Sequence, residues 1–160
     1  MIPAELKTLR QWVCWQAVPD PARPDHPRKT PVNPLTGGGA MSNNPDTWTD
    51  YDTAVRESKK YTGIGFMFAN GYFGVDIDNV EDAIEDYRDG ETDNIVAEFI
   101  GTLRSYAEYS QSGRGIHIIC RGKLPPGGRR KGNVEMYDSG RFFVMTGTAA
   151  AGYTEIADRG

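Results

Sequence analysis

Hydrophobic and polar positions alternate along this chain in short blocks, each a few residues long and separated by Gly, Pro, Asn and Asp. Gln11-Trp12-Val13-Cys14-Trp15-Gln16 is aromatic and β-branched and predicts a strand; so do Gly63 to Phe68, Gly115 to Cys120, Val134 to Tyr137 and Arg141 to Thr146. Asn70-Gly71, the strongest short-range hairpin signal, predicts a turn pairing Gly63–Phe68 with the next strand. Pro3 to Leu9 fits a short helix, and Thr49 or Asp50 caps one running to about Lys59. The acidic stretch Asn79 to Asp93 predicts a short exposed helix. Thr92 or Asp93 caps a longer one whose stripe is Ile95, Val96, Phe99, Ile100, Leu103 and Tyr106. Pro19 to Pro34, Thr36 to Ala40, Ser42 to Trp48 and the basic, Pro/Gly-rich Gly122 to Gly132 read as irregular. The pattern is α+β with a largely antiparallel sheet and no internal repeat.

One strand departs from the alternation of its neighbours. In Phe73-Gly74-Val75-Asp76-Ile77-Asp78, Phe73, Val75 and Ile77 share one face, and Asp76 and Asp78 share the other. Asp is depleted in strands. Two carboxylates about 7 Å apart on one strand face suit a hard cation with oxygen ligands. An EF-hand loop is a poor match, because Val80 takes the third ligand position and no Gly follows at the turn.

The 160 residues suit one domain. A formal charge of −4 argues against a uniformly basic nucleic-acid coat and leaves room for a local basic groove, for which Arg121, Lys123, Arg129, Arg130 and Lys131 are candidates. Cys14 and Cys120 lie in apolar runs without metal-type spacing, which predicts reduced, buried thiols in a cytoplasmic protein. No apolar run approaches the ~20 residues that span a bilayer, and Met1 to Arg10 lack a signal peptide's apolar core.

Two later segments carry further chemistry. In Ser110-Gln111-Ser112-Gly113-Arg114-Gly115-Ile116-His117, small residues lead into a strand. Glycines let backbone approach a ligand, and consecutive N–H groups form anion nests. Ser112, Gly113, Arg114 and His117 are therefore candidate phosphate contacts. In Asn133-Val134-Glu135-Met136-Tyr137, Glu135 and Tyr137 share a face. If Glu135 faces Asp76 and Asp78, three carboxylates meet, enough for a two-metal phosphoryl-transfer centre. His26, in a Pro/Asp/Arg loop, reads as solvated, and Trp12 and Trp15 as core.

Taken in order, Val75-Asp76-Ile77-Asp78, Ser110 to His117 and Val134-Glu135 resemble the three motifs of the archaeo-eukaryotic primase superfamily, in its phage- and plasmid-type primase–polymerase branch. Supporting stretches are Gln11 to Trp15, Lys29-Thr30-Pro31-Val32-Asn33-Pro34, the helix start at Trp48, and Arg141-Phe142-Phe143-Val144-Met145-Thr146-Gly147. The second motif is longer than that family's Ser-x-His.

The resemblance implies an RRM-like catalytic palm and template-directed nucleotidyl transfer, as a DNA primase or polymerase, with Mg²⁺ or Mn²⁺ in a two-metal site. Asp76, Asp78 and Glu135 are then the metal ligands. His117, with Ser112, Gly113 and Arg114, binds phosphate, and Lys29 and Arg141 contact phosphate or template. The implied partners are dNTP or NTP and a single-stranded or primed DNA template. Family members continue into further helices and often a helicase domain, so residues 1–160 correspond to a catalytic domain truncated at its C-terminus relative to a longer replication protein, phage- or plasmid-encoded. Two other readings stay open. One is a catalytically incomplete nucleic-acid- or nucleotide-binding replication module. The other is a metal-dependent nuclease or replication initiator, disfavoured because the chain has no His-x-His pair and no Glu-x-Lys after Val134.

Overall fold

The computed structural model describes residues 2–25, 27–124 and 130–159. Helix α1 (Ala4–Lys7) leads into strands β1 (Trp12–Val18) and β2 (Arg28–Val32), then helix α2 (Tyr51–Glu57) and strands β3 (Gly63–Met67) and β4 (Tyr72–Ile77). Helices α3 (Glu81–Arg88) and α4 (Ile95–Leu103) follow. The remaining strands are β5 (Ala107–Tyr109), β6 (Ile116–Arg121), β7 (Arg130–Lys131), β8 (Val134–Tyr137), β9 (Phe142–Met145) and β10 (Ala157–Asp158). The α+β class and the antiparallel pairing are borne out, β10 against β6 being the parallel exception.

The strands form two sheets rather than one. The first has the order β2-β1-β3-β9; the second runs β10-β6-β4-β8-β7, with β5 also on β6. The expected hairpin at Asn70-Gly71 is not formed. The turn itself exists, with φ of 57° at Asn70 and 88° at Gly71. However, β3 pairs with β1 and β9, while β4 pairs with β6 and β8. Buried Gln11 explains part of the parting. Its Nε2 donates to the carbonyls of Met67 (2.9 Å) and Ala69 (3.4 Å), and its Oε1 accepts from Asn70 Nδ2 at 2.9 Å. Phe68 N–H goes to Arg141 O at 3.1 Å. Backbone groups that a hairpin partner would satisfy are thus taken elsewhere, and the chain steps from one sheet to the other.

Three other expectations are corrected. Pro19 to Pro34 is not wholly irregular, since β2 forms an edge strand whose Pro31, lacking an N–H, is tolerated there. The α4 cap is Asn94, accepting from Ala97 N at 2.8 Å, not Thr92 or Asp93. Tyr106 lies beyond α4, which ends at Arg104 in the left-handed region (φ 48°), and its ring belongs to the core between the sheets.

The core has two main layers. Phe73, Val75 and Ile77 of β4 pack with Ile116, Ile118 and Cys120 of β6 against Ile84 of α3 and Val96 and Ile100 of α4. Between the sheets, Trp12, Phe66, Phe68, Phe143 and Tyr72 make a chain of edge-on aromatic contacts, Phe68–Phe143 at 4.7 Å being the closest, with Ile119 packed in the same cluster. Trp12 and Trp15 are buried, as expected of core residues. Both cysteines are free and buried, and burial pushes each thiol up to about 11. Among the described residues no helix is long and apolar enough to cross a membrane. His26 and Arg129, singled out above, lie outside the described residues.

Candidate active site

β4 has apolar side chains packed toward α3 and α4, so its alternate positions, Tyr72, Gly74 and Asp76, face the other sheet. Register extends that face sideways. Asp76 stands opposite His117 of β6 on one side and opposite Glu135 of β8 on the other, and His117 in turn stands opposite Glu108 of β5. Residues directly opposite each other share a face. The second sheet therefore carries one transverse row, Glu108–His117–Asp76–Glu135, assembled from four strands. Asp78 lies one residue beyond the end of β4 rather than within it, and is more exposed than Asp76.

Within the row, His117 Nε2 lies 3.3 Å from Asp76 Oδ1. The contact is electrostatic, not an aligned hydrogen bond. Asp76 Oδ1 and His117 Nδ1 are both buried without a hydrogen-bond partner. Asp78 feels this imbalance. Partial burial first, and then the negative charge of Asp76, push its carboxyl above the usual carboxylate range; His117 and Lys29 pull weakly the other way. Lys29, on the exposed edge strand β2, is thereby brought electrically within reach of the acids.

Two glycines shape this corner. A Cβ at Gly74 would lie 2.4 Å from Phe68 and 2.6 Å from Phe143, so only glycine lets the Phe143 ring reach the sheet. That ring stacks on the His117 imidazole with centroids 4.1 Å apart and planes inclined by 13°. A Cβ at Gly115 would lie 2.5 Å from the Ile77 carbonyl oxygen and 3.2 Å from Asp78 Oδ1. The second motif is therefore packed against the first. Val80 N–H donates to Arg114 O (3.0 Å) and Asp78 N–H to Asn133 O (2.9 Å), so all three motifs bracket Asp78.

The serines divide their tasks. Ser110 is buried, and its hydroxyl accepts from Gly115 N–H at 3.0 Å, closing the turn. Ser112 is exposed, 3.1 Å from Ser110 Oγ, and accepts from Arg114 N–H at 3.3 Å. Gly113 is left-handed (φ 77°) with open space about it. Glu135 accepts a hydrogen bond from Tyr137 hydroxyl, and Arg141 lies over the Tyr137 ring, 4.9 Å from its centroid. Arg141 thus joins the row through Tyr137. Arg121 pairs at 3.4 Å with Glu5 instead of standing open to a phosphate. Among the described residues no three His, Cys, Asp or Glu side chains are gathered closely enough to hold a metal ion.

Sequence reasoning missed two members. Glu108, 1% exposed, accepts from Thr146 N–H (2.8 Å) and Oγ1 (3.1 Å), from Gly147 N–H (2.8 Å) and from the Tyr106 hydroxyl, fastening the chain after β9 to β5. Its signal was the alternation Tyr106-Ala107-Glu108-Tyr109, masked by reading Tyr106 into the preceding helix. Phe143 carried no signal beyond an ordinary strand aromatic.

No protein-family model matches the chain. The chain is 31% identical over 169 aligned positions to the DNA primase-polymerase of Nitratiruptor phage NrS-1, an alignment covering 98% of this chain and 22% of that protein. The resemblance carried by the three motifs is borne out along essentially the whole chain, which is similar to a phage-type primase–polymerase domain. The chain spans about a fifth of that relative's length.

Proposed function

We propose that this chain is the nucleotidyl-transfer domain of a phage-type DNA primase–polymerase, adding nucleotides to a strand 3′-hydroxyl under the direction of a single-stranded or primed DNA template. The carrying observation is the row of His117, Asp76 and Glu135 on three adjacent strands, in which Asp76 Oδ1, in ionic contact with His117 Nε2, and His117 Nδ1 are buried without a hydrogen-bond partner. Similarity to a phage primase-polymerase supports the same reading.

A buried carboxylate oxygen without a donor is costly unless something outside the protein completes it. Asp76 and Asp78 repel each other, and the repulsion disappears when a cation lies between them. The donor set is all carboxylate oxygen, which fits Mg²⁺ or Mn²⁺. Asp76, Asp78 and Glu135, which do not stand close enough together to form a ready cage, would have to close around the two ions, which when bound would acidify the attacking hydroxyl and neutralise the leaving pyrophosphate.

The chain's own groups do the positioning. His117, braced by Phe143, hydrogen-bonds a triphosphate oxygen. The Ser112-Gly113-Arg114 turn offers a hydroxyl, backbone N–H groups and a guanidinium to the same phosphates. Lys29 and Arg141 add positive charge at the rim. Tyr137 orients Glu135 through its hydroxyl. In this reading the second sheet, with α3 and α4 on one face, is an RRM-like palm.

The test is primer extension on a primed template with dNTPs and Mg²⁺ or Mn²⁺, run beside Asp76→Ala/Asp78→Ala, with metal-dependent triphosphate binding measured on both. Extension and binding that disappear together in the variant are expected. Undiminished metal-dependent binding in the variant overturns the site.

A further inference from the structure

A second concave surface lies outside the acid row, on the other side of β9. It is an open cleft of about 680 Å³, within the usual range for ligand sites. Its walls include Pro31, Ala40, Met41 and Asn43 on one side and Arg141 and Phe142 on the other. Among the described residues no carboxylate lines it, and the one charged side chain is Arg141. The chemistry is therefore apolar surface beside a single cation, in a chain whose net charge is −4.

Met41 is the unusual member. Its side chain is 53% exposed, yet its backbone is held on both sides. Met41 N–H donates to Thr47 Oγ1 at 2.9 Å, and its carbonyl accepts from the Trp48 indole N–H at 2.9 Å. The adjacent Ala40 N–H donates to Pro31 O at 3.1 Å, and Val32 bridges to Gly39. A polarizable, apolar side chain is thus presented to water from an anchored backbone, which lowers the ordering cost of binding against it.

Arg141 links the cleft to the acid row, because it lines the cleft and lies over the ring of Tyr137, whose hydroxyl donates to Glu135. On β2, Pro31 lines the cleft while Lys29, two residues earlier on the same face, is within electrostatic reach of Asp78. At the start of β9, Arg141 and Phe142 line the cleft, and Phe143, on the opposite face of the strand, stacks on His117. Arg141 holds its guanidinium over Tyr137, 4.9 Å from the ring centroid, and a guanidinium on an aromatic face keeps N–H donors for an anion.

We propose that this cleft seats an unpaired nucleotide of single-stranded DNA, its base against Met41 and Phe142 and its phosphate on Arg141, as the strand passes the acid row. The proposal rests on the nucleotidyl-transfer reading for its direction of travel, but not for its chemistry. An open groove with a stacking platform and one cation binds unpaired bases with little sequence preference.

Fluorescence anisotropy with a labelled oligothymidylate of about 10 nucleotides, in EDTA, tests it. Met41→Asp is expected to weaken binding at least about fivefold, the loss of one stacked base. Leu35→Asp, 60% exposed and outside the cleft, is the control for added charge. Equal affinity of wild type and Met41→Asp, or equal losses in both variants, overturns the cleft. Thermal melting checks that each variant is folded. Asp76→Asn/Asp78→Asn, assayed separately for metal-dependent triphosphate binding, reports on the acid row alone. Failure of the cleft and failure of the nucleotidyl-transfer site are therefore read from different variants and different ligands.

Discussion

The imidazole of His117 lies flat on the phenyl ring of Phe143, 4.1 Å between centroids, although the two residues belong to different sheets. Phe143 reaches it because Gly74, in the strand beside His117, has no side chain to hold the ring off. The candidate phosphate-binding group is braced by a core aromatic, so packing between the sheets and geometry at the site are one matter.

Gly74→Ala tests that bracing. The new methyl would meet two aromatic rings at 2.4 and 2.6 Å in a close-packed layer. Overpacking of this kind costs about 1–3 kcal/mol. Urea unfolding should show the loss, and the upfield ring-current shift of the His117 ring protons in the NMR spectrum should shrink. An unchanged His117 resonance would mean the ring stays put without Gly74.

Asp78 sets a pH dependence. Its carboxyl titrates above the ordinary 3.8 in the folded chain, from partial burial and the charge of Asp76. Between 3.8 and the raised value the folded state holds more protons than the unfolded one. Stability therefore falls as pH rises through that interval, and ionised Asp78 is destabilising at neutral pH. Asp78→Asn should raise the thermal midpoint at pH 7 and flatten the decline in stability above pH 3.8. Mg²⁺ should stabilise the wild type more than the variant. Parallel pH profiles for the two proteins would contradict this.

The two glycines of the second motif should answer differently to alanine. At Gly115 the clash is with a backbone oxygen at 2.5 Å, which no rotamer change relieves, so the turn must pull away from Asp78. At Gly113 the space is open and only the left-handed conformation is strained, a cost of about 1–2 kcal/mol. Gly115→Ala should lose metal-dependent triphosphate binding more than tenfold. Gly113→Ala should change mainly the melting temperature. Equal effects on binding would dissolve the distinction.

Glu108→Gln should be strongly destabilising for so small a change. Among the described residues, the hydrogen bonds of the carboxylate all come from donors: Tyr106 hydroxyl, Thr146 N–H and Oγ1, and Gly147 N–H. An amide replaces one acceptor by a donor aimed at donors. With the group buried, the cost is at least about 2 kcal/mol. Denaturant midpoints measure it. A midpoint within error of wild type would show that these contacts are not held in solution.

Alternation along β4 separates the apolar face, Phe73, Val75 and Ile77, from Asp76, and the order of the three motifs points to their meeting. Strand-like runs at β1, β3, β6, β8 and β9 are likewise legible, because each is an apolar run carrying β-branched or aromatic residues. The short strands are not. β5 and β10 have three and two residues, too few for a period, and exist because β6 offers them an edge. The Asn70-Gly71 turn reads as a hairpin locally and is overruled by Gln11, 59 positions away in sequence from Asn70.

What the sequence determined alone, then, is local: which segments are extended, which face of β4 is apolar, and which residues carry oxygen, imidazole and guanidinium. What only tertiary structure decided is adjacency. Register set His117 and Glu135 on either side of Asp76, the split into two sheets carried Phe143 onto His117, and Gly115 let the second motif close on Asp78. The physical reason is that side-chain direction follows from a two-residue period along one strand. Neighbourhood across strands depends instead on hydrogen bonds and close packing between residues far apart in the chain.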